Sequence, residues 1–289
     1  MKVSIVIATR NRSQVLKENI IKLLSLGNVH EIIIVDDASD DDTKEIVKEL
    51  ISKTKYSGLE MRYYRNTKRM REAASWNIGS RIASGELVVF LNDDTFVTDL
   101  NSIEAIKIRF RQYSNVGIVG FRVVNIDLGP EISLDPPFFI NYVGDMLSSI
   151  SGFVFMDQRK RPRFAKFVTS IMALRKKILE RISFDENYRG TSYREESDFQ
   201  LSVRKVGWRI LYEPKAVVVH KDPKIGGCRG YALTERMYWK ARNHTYYLRK
   251  HFSGFRLAWY ILLGMLLLIL YRPTHLSRVF TGVYDGLKG

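Results

Sequence analysis

A single cysteine, Cys228, stands among the 289 residues. No internal disulfide can form, and no cluster of thiolates can hold a metal. No pattern ties a histidine to it, so nothing marks it as a nucleophile, and one lone thiol suits a reducing compartment. Also missing are a Gly-x-Gly-x-x-Gly turn after the first apolar run and any Gly-Lys-Ser phosphate loop. Those absences argue against dehydrogenases and ATPases, and leave any phosphate charge to be met by a metal ion and basic side chains. Met1 to Ile7 runs straight into a strand pattern, without a basic stretch, apolar core and small-residue cleavage site. The active domain is therefore expected in the cytoplasm. Acidic residues are in deficit: 31 against 46 lysines and arginines, a formal net charge of +15. Such an excess invites nucleic acid, an acidic membrane surface or a phosphorylated substrate, although a solvated basic face requires none of them.

What is present is a regular alternation. Val3–Ala8, Glu31–Val35, Met61–Arg65, Leu87–Leu91 and Val116–Phe121 read as strands. Helical periodicity lies between them: Leu16, Ile20, Leu23 and Leu24 behind a Ser13 cap and ending at Gly27; then Ile46, Val47, Leu50 and Ile51. A third helix is expected over Ala73–Ala83 with Gly85 as its stop, and a fourth carries Ile103, Ile106 and Phe110. Strands alternating with helices of these lengths mean βαβ units and a parallel sheet, so the fold class is α/β. After Phe121 the pattern breaks into a long stretch, Asn125 to Phe167, of the length that carries function or disorder. Thr169–Leu174 is extended, Arg175–Arg181 a short basic helix, Glu195–Val206 an amphipathic helix, and Trp208–Tyr212 and Ala216–His220 two short strands.

From Tyr231 onward aromatic and basic residues interleave, and Leu257–Tyr271 is wholly uncharged between Arg256 and Arg272. As a helix that run is only ~22 Å long, short of the ~30 Å hydrocarbon core. A helix lying in the membrane interface, or dipping in and returning, is expected over a span; the alternative is a buried core helix or an oligomer contact.

The chemistry sits where the buried strands stop. Leu87 to Leu91 fits a strand buried on both faces, and it ends on Asn92-Asp93-Asp94. Glu31–Val35 ends on Asp36-Asp37, and the first strand on Thr9-Arg10-Asn11-Arg12. Carboxyl ends of strands in one parallel sheet converge along the edge where ligands bind. There one carboxylate can accept from a base imide or a ribose hydroxyl, and a second can hold Mg²⁺ or Mn²⁺, hard ions that bridge diphosphates. The plain alternative for Asn92–Thr95 is a turn that caps the next helix.

Five pieces, in order over roughly Val3 to His220, resemble the family 2 glycosyltransferases of the GT-A fold. They are Val3–Arg12; Ile34-Val35-Asp36-Asp37-Ala38-Ser39; Trp76-Asn77-Ile78-Gly79 with Ala83–Glu86 leading to Leu91–Asp94; Phe184-Asp185-Glu186 before Glu195-Glu196-Ser197-Asp198-Phe199; and Ala216–His220. The resemblance implies a GT-A domain over 1–222, with a nucleotide-binding half (1–121) and an acceptor and catalytic half (122–222), followed by a membrane-associating helical region over 231–289. It implies Asp37 at the nucleotide base with Thr9, Arg12 and Asn77 on the nucleotide sugar, Asp93 at the ribose, Asp94 on the metal with His220 reaching the same ion, and Glu196 as the base that deprotonates the acceptor. Asp198 is expected to orient neighbours; Arg194 and Arg204 read as surface charges. Asn92, Trp76 and Ser202 depart from the commoner residues, and Glu196 replaces the commoner Asp.

The expected activity is inverting, metal-dependent transfer of a sugar from a nucleotide diphosphate to a hydroxyl, lipid-linked or on a growing glycan, at the inner face of the membrane. Two competing classes are a nucleotidyltransferase, which wants a glycine-rich loop after strand one where Thr9–Ser13 has none, and a basic nucleic-acid binder. The latter leaves the strand-end acids unexplained, so no nucleic-acid partner is expected.

Overall fold

The computed structural model describes residues 1–26, 29–54, 58–125, 161–221, 231–271 and 276–289. Gly27, Cys228 and most of the Asn125–Phe167 stretch lie outside the described residues. The strands are β1 (Val3–Thr9), β2 (Glu31–Asp36), β3 (Glu60–Arg65), β4 (Leu87–Asn92), β5 (Thr95–Val97), β6 (Val116–Asn125), β7 (Arg163–Ala165), β8 (Met172–Arg175) and β9 (Arg209–His220). The helices are α1 (Ser13–Leu24), α2 (Thr43–Thr54), α3 (Arg71–Ile82), α4 (Leu100–Gln112), α5 (Lys176–Leu179), α6 (Glu195–Lys205), α7 (Leu233–His251), α8 (Gly254–Tyr271) and α9 (Leu276–Lys288). The sheet runs β3-β2-β1-β4-β8-β6-β9-β5, with β7 on β9. β3, β2, β1 and β4 are mutually parallel, as are β6 and β9. β8 is antiparallel to both β4 and β6, and so joins the two parallel blocks.

The unbroken apolar strands have a cause in this layering. Ile5 and Ile7 face one core with Leu16 and Ile20 of α1, Val47 of α2 and Ile106 of α4. Val6 faces the other, with Trp76 of α3, Phe90, Phe184 and Phe199 of α6. Trp76, fully buried, lies 5.0 Å from the rings of both Phe90 and Phe184, and Phe184 stacks on Phe199 at 4.1 Å. A charged side chain there would break that aromatic core, so Trp76 is a packing residue.

Local expectations shift in three places. Ser13 is not the cap of α1: Arg12 precedes the helix without a side-chain cap bond, and the Ser13 hydroxyl bonds Asp42. α3 ends at Ile82 with Ala83 leaving in extended backbone, before Gly85 is reached. The two short terminal strands are one, β9, whose pairing with β6 jumps from Phe121–Glu213 to Arg122–Val217. Pro214, which has no amide N–H for the ladder, sits in the bulge that absorbs the jump.

The C-terminal helices form a second small core. Gly282 and Gly286 of α9 press on α7: a Cβ at either would come within 2.4 Å of the carbonyl oxygen of Tyr238 or Arg242. The outward faces are apolar. Phe255 (81 % exposed), Trp259, Leu262 and Leu266 stand at helical spacing on α8, and Leu276, Phe280, Tyr284 and Leu287 on α9. No described helix is long and apolar enough to cross a membrane. Gly286→Val should separate α9 from α7 and cost about 1–3 kcal/mol, the usual range for overpacking. Thermal unfolding indistinguishable from wild type would show that the seam tolerates the extra methyl groups.

Candidate active site

At the carboxyl edge of β1, β2 and β4 lies a cavity of about 330 Å³. Thr9 and Arg12 enter it from the end of β1, Asp37 from β2, Asn92, Asp93 and Asp94 from β4, and His220 from the end of β9. The approach to α3 adds Arg69, Arg71, Glu72 and Ser75, and the loop before α6 adds Gly190 and Ser192. Pairing of Thr95 in β5 with His220 in β9 sets the imidazole beside Asp94. Asn19 of α1 fixes the turn between β4 and β5, its amide donating to the carbonyls of Asp93 and Thr95 at 3.1 and 3.0 Å.

The two aspartates have different surroundings. Asp93 accepts from the Thr9 hydroxyl (2.9 Å) and from Nη1 of Arg12 (2.8 Å). Burial pushes it up to about 6; Arg12 opposes that shift and the neighbouring Asp94 adds to it. Asp94 accepts from the same Nη1 at 2.8 Å and faces His220 Nε2 at 3.5 Å. Burial works against its charge, but His220 and then Arg12 outweigh it and hold Asp94 below the usual range. Asp37 is engaged as a cap. Its carboxylate accepts from Asn66 Nδ2 at 2.9 Å and from the backbone N–H groups of Met70 and Arg71 at the mouth of α3. Arg71 takes a left-handed backbone there, with φ 73°.

Six residues named from the sequence, Thr9, Arg12, Asp37, Asp93, Asp94 and His220, thus line one cavity. Asn77 and Glu196 are not on its wall. Asn77 is buried, donating to the Phe184 carbonyl and Glu186 Oε1 and accepting from the Phe184 N–H, all at 2.9 Å, so it ties α3 to the 184–186 turn. Glu196 is half-buried in the first turn of α6, and burial raises its pKa.

Sequence reasoning missed Glu72. It lines the cavity and is pushed up to about 7, first by burial and then by the charges of Glu196, Asp94 and Asp93, while a hydrogen bond with Glu195 works the other way. Glu195 is itself raised, by burial and then by Glu72. An acid in the first turn of a helix reads as dipole compensation in any sequence, so nothing flagged the pair. Arg194 is also not a surface charge. It is fully buried in left-handed backbone, donates from Nε to His244 Nδ1 of α7 at 3.3 Å, and lies 4.2 Å from the Tyr247 ring.

For a divalent ion the donor set is suitable but small. Asp94 Oδ1 and His220 Nε2 supply one hard oxygen and one imidazole. Adjacent ligands of an octahedral Mg²⁺ stand about 3 Å apart, since each is ~2.1 Å from the ion. A 3.5 Å separation needs little adjustment to reach that. Among the described residues no three histidine or acidic side chains gather into a ready cage. Phosphate oxygens and water would complete the shell, the usual arrangement where a metal accompanies a nucleotide.

A doubly covered α/β sheet with paired acids at its carboxyl edge is the architecture of a GT-A glycosyltransferase. The chain belongs to glycosyltransferase family 2, whose model matches residues 4–183. Three solved structures agree in fold. The mannosyltransferase PcManGT from Pyrobaculum calidifontis, in complex with GDP-Man and Mn²⁺, superposes with a TM-score of 0.62 at 19 % identity, over 100 % of this chain and 75 % of that one. S. aureus TarS 1–349, in complex with UDP-GlcNAc, gives 0.66 at 15 % identity, over 100 % and 81 %. GalNAc-T7, with UDP, GalNAc and Mn²⁺, gives 0.61 at 16 % identity, over 86 % and 50 %. No curated protein matches in sequence.

The buried acids set a pH dependence. A carboxyl whose pKa rises on folding keeps its proton in the native chain where the unfolded chain has lost it, so stability falls as pH climbs from the ordinary glutamate range to about 7. Glu72→Gln should therefore raise the melting temperature more at pH 8 than at pH 5. An equal change at both values would mean that Glu72 titrates normally.

Proposed function

We propose that this glycosyltransferase is an inverting, divalent-metal-dependent enzyme that moves a sugar from a nucleotide diphosphate to a hydroxyl acceptor at a membrane surface. The observation that carries the reading is the convergence of Thr9, Arg12, Asp37, Asp93, Asp94 and His220 on one cavity. Thr9, Arg12 and Asp37 receive the nucleotide, and Asp93 the ribose. Mg²⁺ or Mn²⁺ on Asp94 and His220 would offset charge on the departing diphosphate. The acceptor oxygen forms its bond to the anomeric carbon as the bond to the phosphate oxygen breaks on the opposite side. The electron pair leaves with the diphosphate, and the hydroxyl proton passes to Glu196, which lies behind the wall but close enough for its charge to act on the lining residue Glu72. A base raised by burial is nearer to neutrality, where proton transfer is most effective. Neighbours in complex with GDP-Man and Mn²⁺, and with UDP-GlcNAc, support the donor class.

The membrane part of the reading rests on α8 and α9. Their outward stripes carry large apolar side chains, with Arg256, Arg278 and Lys288 exposed beside them. Apolar area flanked by cations suits the interface of an anionic bilayer, where a lipid-linked acceptor would be found. On this reading the enzyme works at the inner, cytoplasmic face.

Glu196→Gln should keep nucleotide-sugar binding while turnover falls about 10²–10⁴-fold, the usual contribution of a general base. Unchanged turnover would remove Glu196 from that role. In a thermal-shift screen of nucleotide sugars, a Mn²⁺-dependent stabilisation should appear for one nucleotide class and vanish in Asp94→Ala. For the membrane, Trp259→Glu with Leu262→Glu should abolish co-sedimentation with vesicles containing phosphatidylserine; retained binding would show that α8 is not the contact.

A further inference from the structure

We propose that Arg12 is a resident counter-ion that makes divalent-metal binding conditional on the nucleotide diphosphate. The inference rests on the metal reading above and adds to it. One guanidinium nitrogen, Nη1, lies 2.8 Å from Asp93 Oδ1 and 2.8 Å from Asp94 Oδ2, and the side chain is only 12 % exposed. The second oxygen of Asp93 accepts from Thr9, and that of Asp94 faces His220. The carboxylate pair is therefore bridged by a cation that the chain itself supplies.

Two consequences follow from charge. A dication approaching Asp94 meets a guanidinium already on the same carboxylate, and because all three side chains are largely buried that repulsion is screened less than on an open surface. The protein also offers it only Asp94 and His220, because no third acid or histidine joins them among the described residues. A diphosphate reverses both conditions. Its oxygens would complete the ion's shell, and its negative charge would give the Arg12 fork a second partner of the kind guanidinium groups bind best. Metal and nucleotide then strengthen each other's binding by the same factor, as linkage requires.

Calorimetric titration of Mn²⁺ into the full chain, alone and with saturating UDP or GDP, tests this. Wild type should bind Mn²⁺ at least ~10-fold tighter with one diphosphate than without. Arg12→Gln should bind Mn²⁺ alone ~10-fold tighter than wild type, with most of the coupling lost. Arg12→Lys keeps the charge and should retain the conditional behaviour. Asp94→Ala should remove Mn²⁺ binding in both states and so identify the site. Folded Arg12→Gln, checked by circular dichroism, with unchanged or weaker affinity for Mn²⁺ alone would overturn the role of Arg12 and leave the metal reading standing. Loss of the coupling in Arg12→Lys would overturn it as well. No nucleotide-dependent Mn²⁺ binding in wild type would defeat the metal reading, and this inference with it.

Discussion

Two neighbouring carboxylates at the end of a buried strand repel each other, and the surrounding structure is arranged to contain that repulsion. The compensating groups come from far apart in the chain. Thr9 and Arg12 arrive from the end of β1, and His220 from the end of β9. Each is brought in by strand pairing: β1 lies parallel beside β4, and the short β5 runs antiparallel to the last residues of β9. The backbone N–H of Lys221 donates to the Asp94 carbonyl at 3.0 Å, fixing the far side of the same turn. The acids therefore hold three strand ends together as much as they await a ligand. Loss of either partner of so buried a pair is expensive, because the remaining charge keeps its desolvation penalty.

The edge of the sheet was legible in the sequence because period and termination are local properties. Ile5, Ile7, Val89 and Leu91 announce strands covered on both faces, and polar residues stop them at Thr9, Asp37 and Asp93. Glu72 and Arg194 could not be read that way. What makes Glu72 unusual is its burial and then the charge of Glu196, more than a hundred positions later, and what buries Arg194 is a histidine and a tyrosine on a helix still further on. β9 was read as two strands because Pro214 and Lys215 interrupt its pattern; the ladder with β6 continues beyond them through a bulge. Asn77 shows another limit of local reading. Its place in a familiar motif suggested a ligand contact, whereas its amide is engaged with Phe184 and Glu186.

α7 stands behind the loop that lines the site. Lys250 and His251 hold Asp198 of α6 at 2.9 and 2.6 Å, and Lys250 and Tyr246 hold Asp185 at 2.7 and 2.9 Å. Arg242 and Asn243 donate to the carbonyls of Asn187 and Arg189. The loop that delivers Gly190, Ser192 and the acids of α6 is thus laid against one helix along its length. The same helix carries α9 in its glycine seam and, with α8, backs the apolar outer surface.

Gly190 gives that arrangement a particular consequence. It stands at φ 65° with Trp239 of α7 so close that a Cβ would fall about 2.1 Å from the indole. Rim and helix are therefore cut to one another's shape, and a side chain added at 190 would require a smaller residue at 239. A chimaera that grafted the tail of a relative onto this catalytic half would inherit a mismatch wherever the indole at Trp239 was not met by a glycine at 190. In this lineage, loop and tail should be exchanged together or not at all.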